Sequence, residues 1–436
     1  MEPLRPAGHD LRREAPRVTV NHDLHAHPGV VNAARDLALE GFPGAANRAF
    51  ESTAAFAALK AAGSELWLDT GDREAASALW CAEFAGLTTN NTLVNQVVQT
   101  GALDDTAREA ARRLRGVKGL SGEALTLEVG FALNARVALD LVAAFGATVS
   151  VELHPAVARD IAGTCLFARR YHALAPEHFL IKVPLTADGM LAVERVGAAG
   201  IPVNMTIEFS ARQNYVAGLV ARPTYVNVFL GRLNSVVAEN GLGDGKFVGE
   251  KATVASQRAV NELREAHPGI ATRQIAASLR SGGQVADLAG VDVLTIPPKA
   301  AQELLDAGRP APREAEPREF EVAFAGGRSA AEAGVDVLWE IAPQVRRFGA
   351  ALLDEDRRDM TGADVLELAR DYGVGDLFRA WTAEEEAEIR AKGKIPDLSR
   401  WPEAALDDLM TVSALQSFAA DQQQLDDRIA RLVAEA

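Results

Sequence analysis

Eight short apolar runs, each followed by a stretch with helical spacing, recur between residues 64 and 308, and this alternation leaves the chain very few folds. The first pairs are "ELWLDTG" with "DREAASALWCAEFA", then "GLTTN" with a long helical stretch ending in "LVAAFGA". "TVSVEL" with "AVARDIAGTCLFARRYHAL", "FLIKVP" with "GMLAVERVGAAG" and "IPVNMTI" with "SARQNYVAGLVA" follow. "TYVNVFLG" with "VASQRAVNELREAHP", "TRQIAAS" with "GGQVADLAG", and "DVLTIPP" with "KAAQELLDAG" complete the series. Strand and helix in strict alternation imply parallel pairing with right-handed crossovers. Eight units in roughly 245 residues is the size of a closed (β/α)8 barrel. An open doubly wound sheet is the alternative, but no first turn, "LDTGDR" included, supplies a Gly-rich dinucleotide fingerprint. The expected fold is therefore α/β: a TIM (β/α)8 barrel at 64–309, with a partly helical N-terminal extension (1–63) and C-terminal helical segments. "RPAPREAEPREFE" reads as a linker opening a helical insertion at 310–405. Residues 406–436 read as one amphipathic helix packing on the barrel.

Composition narrows the function classes. The net charge of −15 argues against a generic nucleic-acid or anionic-membrane binder, while allowing a locally basic pocket. "MEPLRPAGHDLRREAPR" lacks the apolar core of a secretory signal, and the richest apolar stretch, "LVAAFGATVSVEL", is too short to span a bilayer. A cytoplasmic location is expected. Cys81 and Cys165, both in apolar helical pattern, read as reduced core thiols. His22, His25 and His27, in "HDLHAHPG", have spacing a metal could use. A barrel hydrolase needs further histidines at later strand ends, so a flexible His-bearing arm is the preferred reading and no metal is assigned.

Barrel chemistry gathers at the C-terminal strand ends. Reading those positions gives Asp69, Asn90, Glu152, Lys182, Asn204 with Thr206, Asn227, and Ser278 with Arg280. Each has a plain alternative: Lys182 reaching to solvent along its stem, Asp69 as a helix N-cap, Glu152 in a loop salt bridge, Arg280 as a surface cation. Together they form a dense chemical set. A lysine amine in a water-poor site loses its proton more readily than in water. Once neutral it can attack a carbonyl and form an iminium, an electron sink for breaking the neighbouring C–C bond. Asp69 and Glu152 are the acid/base candidates, and Arg280 suits an anionic group.

These residues carry a family resemblance. "WLDTGD", "GLTTNN", "VSVEL", "FLIKVPLTADG", "VNMTIEFS", "NVFLGR", "AASLRS" and "LAGVDVLTIPP", with the final "ALQSFAADQQQLDDRIARLV", resemble the transaldolases, covering residues 64 to about 308 and roughly 408 to 434. The resemblance implies a cofactor-free transferase of the pentose phosphate pathway. It would move a dihydroxyacetone unit from sedoheptulose 7-phosphate or fructose 6-phosphate to glyceraldehyde 3-phosphate or erythrose 4-phosphate. Lys182 matches the Schiff-base lysine, Asp69 the acid/base at C–C cleavage, and Glu152 with Thr206 the pair holding a catalytic water. Asn90 and Asn204 match the amides that bind the dihydroxyacetone hydroxyls, with the substrate-binding candidate Thr88 near them; Arg232, Ser278 and Arg280 match the phosphate site. Asn91 stands where relatives usually have Pro, Val151 where Thr is common, and Asn227 where larger members carry Ser near the phosphate. Phe229 replaces the Tyr typical of the related fructose 6-phosphate aldolases and so resembles the transferase branch. A fructose 6-phosphate aldolase-like or non-standard sugar-phosphate aldolase is the alternative; a non-catalytic sugar-phosphate-binding barrel is more remote. Partners implied are small-molecule sugar phosphates, with no nucleic acid and no membrane; a homodimer is admitted.

Overall fold

A computed structural model describes residues 20–308 and 319–436. Its eight strands are β1 (Glu65–Asp69), β2 (Phe84–Thr88), β3 (Thr148–Glu152), β4 (Phe179–Pro184), β5 (Val203–Thr206), β6 (Tyr225–Phe229), β7 (Arg273–Ala277) and β8 (Val293–Ile296). They pair in parallel in chain order, and β1 closes on β8 from Glu65↔Val293 to Leu68↔Ile296. The expected (β/α)8 barrel is the fold observed. Strands of a parallel barrel are covered on both faces, so they read as unbroken apolar runs. β4 is the extreme case, buried at every position, lysine included.

Register does the first work of site building. Glu152 on β3 pairs with Lys182 on β4, Lys182 with Asn204 on β5, and Pro184 with Thr206. Adjacent strands lie ~4.8 Å apart, so Glu152, Lys182 and Asn204 leave the barrel wall at one level and Thr206 two residues further along. Beneath them, at the N-terminal end, the interior is filled by Trp67. Its ring meets Tyr225 edge-on at 4.9 Å, and its indole N–H donates to Glu65 Oε1 at 2.7 Å. Arg273 closes the floor with an ion pair to Glu65 at 2.6 Å. A Cβ at Gly86 would come within 2.9 Å of the Trp67 ring, so β2 can pass only as glycine there.

Several local expectations are corrected. "DREAASALWCAEFA" is helical only over Arg73–Ser77; Phe84 and Ala85 belong to β2. Cys81 lies in the connection between them rather than in a helix, although both cysteines are buried and unbridged as expected. The β6 run is followed by two helices, Leu230–Glu239 and Val248–Ala266, of which only the second is evident in the sequence. Of "AGVDVLWEIAPQVRRFGAALL" only Pro343–Asp354 is α-helix, and of "TGADVLELARDYGVGDLFRAW" only Gly362–Asp371. The final helix is continuous from Leu406 to Glu435. Most of the linker at 309–321 lies outside the described residues.

The histidines do not form a flexible arm. His25 sits in the helix His22–Ala26, 1% exposed, with Nδ1 2.6 Å from Glu128 Oε1. Arg170 grips the same carboxylate through two bonds, at 2.7 and 2.5 Å. Burial alone would raise the Glu128 pKa; Arg170 and His25 outweigh it and hold the group below the ordinary range. His22 pairs with Asp160 at 2.6 Å, and His27 accepts from the Gly29 N–H. The extension is thereby pinned to the helices Gly122–Phe145 and Ile161–His172. Residues 343–371 pack on outer helices, with Arg357 bound to Glu194, Arg346 to Glu262, and the Gly362 N–H to Asp188. Among the described residues, no helix is long and apolar enough to cross a membrane.

Candidate active site

Lys182 rises from the centre of β4 and is only 3% exposed. Its Nζ makes one long hydrogen bond, to the Thr89 carbonyl at 3.5 Å. On β3, Glu152 Oε2 accepts the Asn91 backbone N–H at 3.1 Å, while Oε1 has no partner among the described residues. Burial pushes the Glu152 carboxyl up, opposed by the charges of Lys182 and Arg232 and by the Asn91 bond. Thr206 is fully buried with its hydroxyl likewise unpartnered. Asp69 stands at the end of β1 with Oδ1 unpartnered. The next helix is capped by Asp72, which removes the N-cap reading of Asp69. Burial pushes the Asp69 carboxyl up to about 6, against the pull of Lys182 and Arg280; the Glu152 charge adds to the rise. A carboxyl titrating near neutrality can both take and return a proton.

Amides line the adjoining wall, on β5 and β6. Asn204 Nδ2 donates to Ser150 Oγ at 2.9 Å, and Asn204 Oδ1 accepts from Asn227 Nδ2 at 2.6 Å. Asn227 also donates to the Met205 carbonyl, so it is tied to the wall of Asn204. Thr88 faces Thr295, hydroxyl to hydroxyl at 3.0 Å. Asn90 caps the helix Asn91–Gln99, accepting the Leu93 N–H at 2.8 Å. The departure at Asn91 has a consequence: proline has no N–H, so the bond to Glu152 exists because this position is Asn.

Cationic groups gather beyond β6 and β7. Arg232 is buried with Nη1 unpartnered, and its guanidinium lies 5.3 Å over the Phe418 ring. Burial, reinforced by the charge of Arg280, lowers the Arg232 pKa to about 10. Two arginines that repel each other, one with Nη1 unpartnered, have the chemistry to hold an anion between them. Gly231 makes their approach possible, because a Cβ there would strike the Ser278 carbonyl and come 2.7 Å from Arg280 Nε. Ser278 itself adopts a left-handed backbone, φ 63°. Arg280 is exposed at the rim. Phe229 packs between Phe209 and Phe418, at 5.8 and 6.4 Å.

Of the twelve candidate residues, Lys182, Asn204 and Asn227 lie within their strands and the other nine at or just beyond the C-terminal strand ends. Three further groups escaped sequence reading. The C-terminal helix contributes Phe418, stacked on Arg232, and Asp421, bonded to Thr92 and within reach of the Arg232 charge. No local signal in a 30-residue amphipathic helix marks which turn crosses the mouth. Glu208, two residues past Thr206, is a fully buried carboxyl. A groove of about 790 Å³ opens beside β1, near Phe42, Asp72, Leu93 and Arg136. It does not include Lys182, and chemistry rather than size marks the site.

The profile of the transaldolase/fructose-6-phosphate aldolase family matches residues 66–338, more than half of the chain. The chain belongs to the transaldolase/fructose-6-phosphate aldolase family. Among curated relatives, a probable transaldolase of Thermus thermophilus is 32% identical over 245 residues, covering 55% of this chain and 90% of its own. A transaldolase of Chlamydia pneumoniae is 29% identical over 59% of this chain and 78% of its own. A probable transaldolase of Symbiobacterium thermophilum is 34% identical over 32% of this chain; the alignment spans just over half of that relative, 57%. Among solved structures, an IMP dehydrogenase/GMP reductase-like protein of Corynebacterium glutamicum aligns at TM-score 0.31 and 14% identity, over 58% of this chain and 70% of its own. That likeness is too low to bear on function. Family membership supports a transferase-type enzyme of sugar-phosphate aldol chemistry.

Proposed function

We propose that this chain is a transaldolase that carries a dihydroxyacetone unit from a ketose phosphate to an aldose phosphate on Lys182. The observation that carries the reading is a buried lysine, without a salt bridge among the described residues, in strand register with Glu152 and Asn204. The uncharged Lys182 amine attacks the ketose C2 carbonyl. A water held between Glu152 Oε1 and the Thr206 hydroxyl, both without protein partners, relays the protons of carbinolamine formation and dehydration. The iminium then draws electrons from the C3–C4 bond while Asp69 takes the C4 hydroxyl proton, and an aldose phosphate leaves. The three-carbon enamine stays on the enzyme, held by Asn204 and Asn90, until an acceptor aldehyde reverses the steps. Arg232, Ser278 and Arg280 hold the phosphate of either partner. Sedoheptulose 7-phosphate and fructose 6-phosphate are the proposed donors, with glyceraldehyde 3-phosphate and erythrose 4-phosphate the acceptors. We also place the enzyme in the cytoplasm.

Phe229 favours transfer over release of a free ketone. It packs against two phenylalanines and offers no hydroxyl to orient a hydrolytic water. With fructose 6-phosphate as donor and erythrose 4-phosphate as acceptor, transfer should outpace release of dihydroxyacetone. The reverse order would place the protein on the aldolase branch, and neither product would defeat the reading.

A further inference from the structure

Glu208 is 0% exposed, and among the described residues neither carboxyl oxygen has a hydrogen-bond partner. Buried polar groups nearly always have partners, and the exceptions need a reason. Nor is the group loosely placed. Ile207 before it holds a left-handed backbone, φ 63°, rare for a β-branched residue. The Ile207 carbonyl accepts from Thr411 of the C-terminal helix at 3.0 Å, and the Glu208 carbonyl accepts the Phe229 N–H at 3.2 Å.

The charges facing this carboxyl are few. Lys182 on β4 is the group whose field reaches it whenever its nitrogen carries a charge, as ammonium or iminium. Its own backbone N–H and that of Asn227 on β6 also favour its charge, without hydrogen-bond geometry. On the following helix, Arg212 is occupied by Asp407 and Asp376; Asp407, from the C-terminal helix, is spent on Arg212 and Ser210. Asp69 and Glu152 share Lys182 from the far side. An isolated carboxylate in such a place is too costly to persist, so Glu208 keeps its proton. Burial drives it well above the ordinary carboxyl range.

We propose that Glu208 is a positioning residue for imine formation: neutral while the Lys182 amine is neutral, and the counter-charge once Lys182 carries an iminium. The proposal rests on the Schiff-base reading above. In the dehydration step the carbinolamine C–O bond breaks and the nitrogen lone pair forms C=N. The departing oxygen takes a proton from the carboxyls of the site, and Glu208 makes that proton good. Neutral acid and neutral carbinolamine become carboxylate, iminium and water. The net charge of the buried site is unchanged.

The test follows formation of the borohydride-trapped adduct on Lys182 with fructose 6-phosphate, from acid to alkaline pH, in wild type, Glu208→Gln and Glu208→Asp. Glu208→Gln should melt no lower than wild type, form the adduct about tenfold more slowly near neutral pH, the equivalent of one pKa unit, and show a flattened pH profile. Glu208→Asp should recover part of both. An unchanged rate and profile in Glu208→Gln, or a loss by one factor at every pH, would overturn the proposal. If Glu208→Gln does not fold, an unaltered profile in Glu208→Asp would do the same. No adduct in the wild type would instead overturn the Schiff-base reading beneath it.

Discussion

The two ends of the barrel treat their polar groups in opposite ways. At the floor, Glu65, Trp67 and Arg273 satisfy one another at 2.6 to 2.7 Å. At the mouth, Asp69 Oδ1, Glu152 Oε1, Thr206 Oγ1, both oxygens of Glu208 and Arg232 Nη1 lack partners among the described residues. Four other such atoms, on Asn134, His172, Asn214 and Arg428, occur outside this set. A buried group left unsatisfied costs about 1–3 kcal/mol, and a domain has only ~5–15 kcal/mol of net stability to spare. The floor thus spends its polar groups on holding the barrel together. The mouth keeps its groups free for what binds there.

The sharpest way to break that contrast is one substitution at each end. Trp67→Ala should lower stability by about 3–5 kcal/mol by opening a cavity, read from denaturant unfolding. Thr206→Val should leave stability unchanged or slightly higher, since it removes an unsatisfied hydroxyl, yet cut turnover about 100-fold. A mouth variant as destabilised as the floor variant would erase the distinction. Next in size, Arg280→Ala should raise KM for phosphorylated donors about 10- to 100-fold, the worth of charge-assisted bonds, with little change for free dihydroxyacetone donors. Equal effects on both would remove the anion assignment.

pH sharpens the contrast further. The Asp69 carboxyl is raised from 3.8 to about 6 in the folded protein. The folded state therefore binds its proton more tightly than the unfolded state. Its contribution favours folding most below pH 3.8 and is lost as pH rises to about 6. In the proposed mechanism turnover uses the carboxylate, and it should rise with a midpoint near pH 6. Asp69→Asn should flatten that part of the stability curve and abolish cleavage; an unchanged curve would contradict the assignment. The smallest expected effect belongs to Asn91→Pro. Proline is tolerated at a first helical position, so stability should change by under about 1 kcal/mol. Loss of the N–H to Glu152 should move the midpoint of the activity–pH profile upward by under ~1 unit.

Fold and site were legible in the sequence to different degrees. β4 declares itself because burial on both faces leaves a nearly unbroken apolar run. Lys182 stands out because it interrupts that run, and Glu152 and Asn204 are its register partners on β3 and β5. The segment from Asp72 to Ala85 misled because its apolar residues satisfy helical spacing, while the tertiary structure claims Phe84 for β2. His25 misled because its partner, Glu128, lies 103 residues away. Glu208 was overlooked for a related reason: an acid shortly before a helix normally reads as solvated, and its burial is tertiary, beside the C-terminal helix that bonds the Ile207 carbonyl.

Mass mapping of the borohydride-reduced adduct formed with fructose 6-phosphate tests the role of Lys182 most directly. A single dihydroxyacetone-derived adduct on Lys182, absent from Lys182→Met, is the expected result. An adduct on another lysine, or turnover retained in Lys182→Met, would contradict it.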